Sequence, residues 1–375
     1  MRIGVPKEIK NHEYRVGLTP ENVSELVRQG HVLYVETGAG HGIGAKDVAY
    51  MRAGAEILPT AEEIFAESEM IIKVKEPLAA ERKMLRAGQI LFTFLHLAPD
   101  PEQTDDLIKS EAICIAYETI TNISGTLPLL KPMSQVAGRL SVQAGAYALQ
   151  KQSSGAGVLL GGVPGVAPAR VTIIGGGVVG ENAMQMALGL GADVAILDKN
   201  LNVLERLSTQ YRGQNLKTLY ASKAALEETV EDADLVIGAV LIAGAAAPKL
   251  VTIPMIKSMR AGSVLVDVAI DQGGCFETSK PTTHSSPTYI MHDVVHYCVA
   301  NMPGAVPRTS TYALNNATFP YIERLANQGY KKALQYDAHF MNGLNIYRGK
   351  VTCKSVATSL NHYFHEPLSL ISGEI

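Results

Sequence analysis

The chain has 375 residues, 47% hydrophobic and 18% charged, with 33 Lys and Arg against 36 Asp and Glu, a net charge of −3. Such a length exceeds one ordinary core and predicts two domains, and the composition excludes a disordered chain. The lack of a basic block excludes nucleic acid as a partner, and no apolar run approaches the roughly 18 residues of a membrane span.

In chain order, residues 2–5 read as a strand, and Thr19-Pro20-Glu21 has the cap-then-proline form of a helix start. That helix is expected to stop at Gly30, before a strand at 31–36. Helices at 47–53 and 61–67 precede buried strands at 70–74 and 89–95. A helix at 101–110 and a strand at 112–117 ending at Glu118 follow. This alternation predicts a parallel sheet within residues 1 to about 127. A helix at 134–150 leads through a Gly/Ser/Pro-rich stretch to a second alternating region. Its strands are expected at 171–174, 193–197, 216–220, 235–240 and 263–269, with helices at 182–190, 201–211, 224–230 and 254–259. Helices at 313–329, 331–341 and 355–363 are expected to pack back on the first domain. The fold class is therefore α/β, two Rossmann-like doubly wound domains separated by a cleft. Residues 1–127 with 307–375 would form the substrate-binding, catalytic domain, and 128–306 the nucleotide-binding one.

The second region opens on Gly175-x-Gly177-x-x-Gly180, between a buried strand and a helix, with Asp198 ending the next strand. Gly175 allows the tight turn, Gly177 the approach of backbone to a pyrophosphate, and Gly180 close helix packing. The helix N-terminus offers unpaired N–H groups to phosphate, and an acid at 198 suits ribose hydroxyls, favouring NAD over NADP.

Ligands bind beyond the carboxyl ends of strands in such sheets. Arg15, Lys75 and His96 all stand beyond strand ends of the first domain. Arg15 has the planar fork that clamps a carboxylate, though a lone loop arginine equally suits a surface ion pair with Glu8 or Glu13. Lys75 ends an apolar strand, where a charge is costly unless paired or exposed. His96 suits a general acid–base or a carbonyl donor; the alternative is a satisfied core histidine. Asp271, past the strand at 263–269, suits a proton relay, or else stabilises its own turn. The four cysteines are widely spaced, without metal-ligand spacing, as reduced structural thiols of a cytoplasmic protein would be. No metal is expected.

Arg2-Ile3-Gly4-Val5-Pro6-Lys7-Glu8 with Glu13-Tyr14-Arg15-Val16 resembles the N-terminal signature of alanine dehydrogenases, shared with the NAD-binding subunit of proton-translocating transhydrogenases. The resemblance continues through Lys73-Val74-Lys75-Glu76-Pro77, Phe94-Leu95-His96-Leu97-Ala98, Met133-Ser134 and Val171 to Gly180. It closes with Val266 to Cys275, Val299-Ala300-Asn301-Met302-Pro303 and Thr309-Ser310-Thr311. It implies NAD-dependent oxidative deamination of L-alanine to pyruvate and ammonium by a cytoplasmic homohexamer. Arg15 and Lys75 would bind the substrate, and His96 and Asp271 would transfer protons. Ser134 would contact cofactor phosphate, Val178 and Val179 would lie over the pyrophosphate, and Asp198 would bind the adenine ribose. Val240, Leu241, Val268, Ala269, Ile270, Asp271, Val299, Ala300, Asn301 and Met302 would line the nicotinamide side, with Lys280 also on the cofactor. The chain departs from some relatives at Ala221, at Ala246 and at Lys280, which keeps the charge but not the fork of an arginine. The transhydrogenase subunit is the alternative reading. A non-catalytic nucleotide sensor is a third, but it would not need three polar groups at one set of strand ends.

Overall fold

A computed structural model describes residues 1–240 and 247–373 of the chain. In chain order the first sheet takes β1 (Arg2–Val5), β2 (Val32–Glu36), β3 (Glu56–Leu58), β4 (Met70–Ile72), β5 (Ile90–Thr93) and β6 (Ile113–Ala116). The second takes β7 (Arg170–Ile174), β8 (Asp193–Asp198), β9 (Leu216–Tyr220), β10 (Leu235–Gly238), β11 (Val264–Asp267), β12 (Thr288–Met291) and β13 (Val294–Tyr297). The chain then returns to the first sheet with β14 (Leu344–Tyr347) and β15 (Lys350–Val351). Contacts divide it into one unit of residues 1–133 with 304–375 and another of 134–303. The changeovers differ by three to six residues from those expected, the first falling inside the helix Lys131–Ala148.

The first sheet has the order β15-β14-β6-β5-β4-β1-β2-β3 and the second β12-β13-β11-β10-β7-β8-β9. In the first, strands run outward from β1 to β3, and the chain then crosses back to start the other half at β4. The second repeats this, with its switch between β7 and β10. Every pair among β1 to β6 is parallel. Because crossover helices cover both faces of such sheets, their inner strands are apolar throughout. All residues of β4, β5, β6, β10 and β11 are buried accordingly. Alternate residues go to opposite faces: Ile173, Ile237 and Val266 enter one cluster, Ile174, Val236 and Leu265 another. Burying each such side chain contributes about 1.5–3 kcal/mol.

Local signals act as expected at the helix Pro20–Arg28, where the Thr19 hydroxyl accepts from the Asn22 N–H and Gly30 takes a φ of 87°. Other expectations need correction. Strands β4 and β5 end two residues early, so Lys75 and His96 lie three residues beyond their strands. The nucleotide helix begins at Val178 instead of 182, because Gly177 already serves as its cap. Residues 307–335 form one long helix broken only at Gly329, where φ is 72° and ψ 155°, and a short helix Ala338–Met341 follows. The long helix does pack on residues 1–133: buried Thr311 and Asn315 accept the N–H groups of Val16 and Thr19 at 3.3 and 3.0 Å. Two antiparallel hairpins, β12–β13 and β14–β15, were not expected. Among the described residues, no helix is long and apolar enough to cross a membrane.

Candidate active site

The strand order places the carboxyl ends of β1, β4, β5 and β6 side by side, with the topological switch between β1 and β4. Arg15 follows β1, Lys75 follows β4, His96 follows β5 and Glu118 follows β6. One row of neighbouring strand ends thus carries a guanidinium, an ammonium, an imidazole and a carboxylate.

Arg15 is no surface residue: it is 2% exposed. Its Nε donates to Glu13 Oε1 at 2.7 Å and one terminal nitrogen to Oε2 at 2.5 Å, the fork-on-carboxylate pairing. The other terminal nitrogen stands 3.0 Å from the Met133 sulfur. Lys75 is half-buried, and among the described residues its ammonium has no hydrogen bond or ion pair. Its charge is still felt. Burial works to raise the Glu76 carboxyl, but Lys75 and the ion-paired Lys10 outweigh it and hold the acid below its ordinary range.

Two positions before Lys75, Lys73 points into the protein and is fully enclosed. Its ammonium donates to Glu8 Oε2 at 3.1 Å and to Glu81 Oε1 at 2.6 Å. Burial alone would discharge it, yet the two carboxylates keep its pKa above that of a free lysine. Burial also raises the Glu8 carboxyl, a rise that Lys73 counters.

His96 is exposed, not a core histidine. Its backbone sits at φ 50°, a left-handed conformation that costs a non-glycine residue about 1 kcal/mol or more. Glu118 holds it there: its Oε1 accepts the His96 N–H at 2.6 Å, and both oxygens accept the Leu95 N–H at 3.2 Å. The same oxygen stands 4.0 Å from the imidazole Nδ1, and the ring stacks on Phe94 with centroids 5.7 Å apart. Backbone strain maintained by a half-buried acid sets the main chain from which the imidazole projects.

In the other unit, β7 leads into Gly175 at φ 104°, where a side chain would meet the Ala239 carbonyl oxygen at 2.7 Å and Val240 at 3.2 Å. Gly177 caps the helix Val178–Gly189 without a side-chain bond, and a Cβ there would meet nothing within 4 Å. That open space before free helix N–H groups is what an incoming pyrophosphate requires. Asp198 ends β8; its Oδ2 accepts the Gly176 N–H at 2.6 Å and its Oδ1 the Asn200 N–H at 2.8 Å. It therefore braces the glycine turn from the end of the neighbouring strand. These residues fit NAD. Replacing Asp198 with alanine should weaken NADH binding by about tenfold and narrow the preference over NADPH, by fluorescence titration with both nucleotides.

Asp271 is exposed in the short helical turn Ile270–Gln272 past β11. It does not stabilise that turn; the buried Asp267 does. Its carboxylate accepts the N–H groups of Ala269 and Cys275 at 3.0 and 2.9 Å, and the Ser279 hydroxyl. Burial raises its pKa, a rise those donors oppose. Lys249 donates to the carbonyl oxygens of Gly273 and Gly274, at 2.5 and 2.9 Å, closing the loop from outside.

The remaining expected nucleotide residues differ in kind. Ser134 and Val240 are half-buried, Val178 is exposed, and Val268 is half-buried beside Ala269 and Ile270, both buried. Val179, Val299 and Met302 belong to the hydrophobic cluster beneath β7, so their side chains serve packing. Ala300 and Asn301 are half-buried, Asn301 at φ 65° with its carbonyl 3.1 Å from His284 Nε2. Lys280 is exposed and donates its N–H to the Tyr289 hydroxyl at 2.9 Å. Leu241 and Ala246 lie outside the described residues. Of Glu8 and Glu13, the two acids that the sequence offers Arg15, the structure pairs Glu13 with it and turns Glu8 to Lys73. Lys73, Glu81, Glu118 and Asp267 carry no such signal, because the partners they hold are set by the fold.

Residues 4–137 match the alanine dehydrogenase/PNT N-terminal domain family, and residues 141–354 the C-terminal domain family of the same name. Alanine dehydrogenase of Halomonas elongata is 59% identical over 371 residues, covering 99% of this chain and all of that one. That of Mycobacterium tuberculosis is 50% identical over 372 residues, again covering 99% of this chain and all of that one. Among solved structures, an L-alanine dehydrogenase superposes with a TM-score of 0.93 at 52% identity, covering 96% of this chain and 99% of that one. A transhydrogenase from Sinorhizobium meliloti shares the fold, with a TM-score of 0.80 at 24% identity, covering 95% of this chain and all of that one.

Proposed function

The chain belongs to the alanine dehydrogenase/PNT family, and from that premise we propose that it interconverts L-alanine, NAD⁺ and water with pyruvate, ammonium, NADH and a proton. The observation that carries this reading is the row of Arg15, Lys75 and His96 along neighbouring strand ends, in a chain at least half identical to two alanine dehydrogenases over nearly its full length. A transhydrogenase subunit binds NAD(H) but deaminates nothing, and would have no use for that row.

Arg15 and Lys75 hold the substrate, the first at its carboxylate and the second at the oxygen on Cα. NAD would supply the acceptor for the hydride of the alanine Cα, leaving an iminium. Water then adds to the iminium, and the resulting carbinolamine must lose ammonia. The Lys75 ammonium, without a hydrogen bond or ion pair among the described residues, is available to the oxygen that becomes negative in that step. His96 and Asp271 move the protons, one removed from water and one delivered to the leaving amine. Glu118 acts through His96, and Asp267 through the loop that carries Asp271. Asp198 would hold the ribose of the nucleotide, the turn from Gly175 to Gly180 its pyrophosphate, and Ser134 would add a hydroxyl to the phosphate. Backbone of the 240, 268–271 and 299–302 segments, with Lys280, completes the set.

The decisive assay uses the purified chain alone. NADH should form from L-alanine at alkaline pH and be consumed with pyruvate and ammonium. Tight NADH binding without turnover in either direction would sink the enzyme reading and favour the transhydrogenase subunit.

A cytoplasmic homohexamer is part of the same proposal. Three of the four free cysteines are buried, which suits a reducing compartment. Leu159, Val163, Val166 and Leu190 are each at least half exposed around one loop, an apolar surface that self-association would cover. Sedimentation should return the mass of six chains.

A further inference from the structure

Lys73, Glu8 and Glu81 are buried, charged and unused by the reaction. Each carboxylate divides its oxygens in the same way. Glu8 gives Oε2 to the Lys73 ammonium and Oε1 to the backbone N–H groups of Val74 and Lys75, at 2.6 and 3.3 Å. Glu81 gives Oε1 to Lys73 and Oε2 to the Leu78 N–H at 2.8 Å. The loop from Val74 to Leu78 is therefore held at both ends by two acids that share one ammonium. Two hydroxyls fix its carbonyls: Tyr117 donates to the Lys73 oxygen at 3.0 Å and Thr93 to the Lys75 oxygen at 2.9 Å. Both carboxylates and both hydroxyls of this cluster bond the main chain between Lys73 and Leu78, which presents Lys75.

We propose that Glu8, Lys73 and Glu81 form a clamp of positioning residues that sets the main chain of Lys75, and with it the grip on the substrate oxygen. This rests on the reading of Lys75 as a substrate-binding residue. An ion pair so enclosed is a poor way to gain stability, since apolar side chains of equal volume do as well or better. Its value lies in geometry. A salt-bridged carboxylate orients two N–H groups at fixed angles, whereas apolar packing leaves a loop able to slide. Among the described residues no hydrogen bond or ion pair holds the Lys75 ammonium, so its placement depends on the backbone.

The test is E8Q in the full chain, assayed with pyruvate, ammonium and NADH. The variant keeps the shape and removes the charge. KM for pyruvate should rise about tenfold or more while kcat changes less and the NADH dissociation constant stays unchanged. The amides of Val74 and Lys75 should exchange with deuterium at least about tenfold faster. A purely structural role would instead lower kcat per mole of protein at unchanged KM, and that result would overturn the proposal. Should E8Q not fold, T93V, nearly isosteric and uncharged, removes the bond to the Lys75 oxygen and should raise KM about threefold. An unchanged KM there would overturn it too. If the wild type shows no turnover, the enzyme reading falls separately, and amide exchange at Val74 and Lys75 still decides the clamp.

Discussion

Replacing His96 with alanine should lower kcat by about 10³-fold, and Asp271 with asparagine by a comparable factor, with NADH affinity kept within about twofold. Both variants are expected to fold. At position 96 the bonds from Glu118 go to main-chain N–H groups, which alanine retains, so the left-handed turn survives the loss of the ring. At position 271 the side chain is exposed, and the loop depends on Asp267 and Lys249. What each variant loses is a group able to carry a proton, not a part of the scaffold. Stopped-flow hydride transfer beside nucleotide titration separates the two effects. If either variant keeps near-normal kcat, its assigned part in proton transfer is wrong.

The glycine turn yields the second large effect, and a contrast. A Cβ on Gly180 would collide with the backbone carbonyl oxygen of Gly175, which, unlike a flexible side chain, cannot give way. Gly180→Ala must therefore separate the helix Val178–Gly189 from β7. It should cost about 1–3 kcal/mol of stability and abolish measurable NADH binding. Gly177 has φ −71°, open to any residue, and nothing within 4 Å of a new Cβ. Gly177→Ala should leave the melting temperature unchanged but weaken NADH by about 100-fold, because the methyl occupies the approach of the pyrophosphate. Calorimetry with nucleotide titration reads both. Equal loss of stability in the two variants would contradict these separate roles.

Much of this molecule was legible in the chain because its governing signals are local. The strand, three glycines, helix and acid of the nucleotide motif fall within thirty residues, and each obeys a steric rule readable at its own position. Lys75 and His96 were legible for a different reason: a polar residue after an apolar run marks a strand end wherever it occurs, and Arg15 was legible as a lone arginine in the loop after the first strand. The clamp was not legible. Glu8 and Lys73 are 65 positions apart, and nothing near either one distinguishes an enclosed charge from a solvated one. Glu118 was seen as the end of a strand, but its meaning depends on β6 lying beside β5. The hairpins escaped because their turns break the usual signature. His292-Asp293 and Arg348-Gly349 take positive φ at both positions, as the type I′ turn requires, yet only one of the four residues is glycine.

The hairpin β14–β15 has a bearing on how the polypeptide reaches this state. It closes the edge of β6, antiparallel to it. A ribosome releases β6 early and must then deliver the whole of the second unit before that neighbour emerges. Throughout synthesis of residues 117–343 the nascent first sheet carries a row of open N–H and C=O groups on a strand whose four residues are all apolar. Such an edge is a template for pairing between chains. The second unit, continuous in sequence, can close while its host waits. The vulnerable interval in the life of this protein is therefore the one before its last strands arrive, when a chaperone has most to protect.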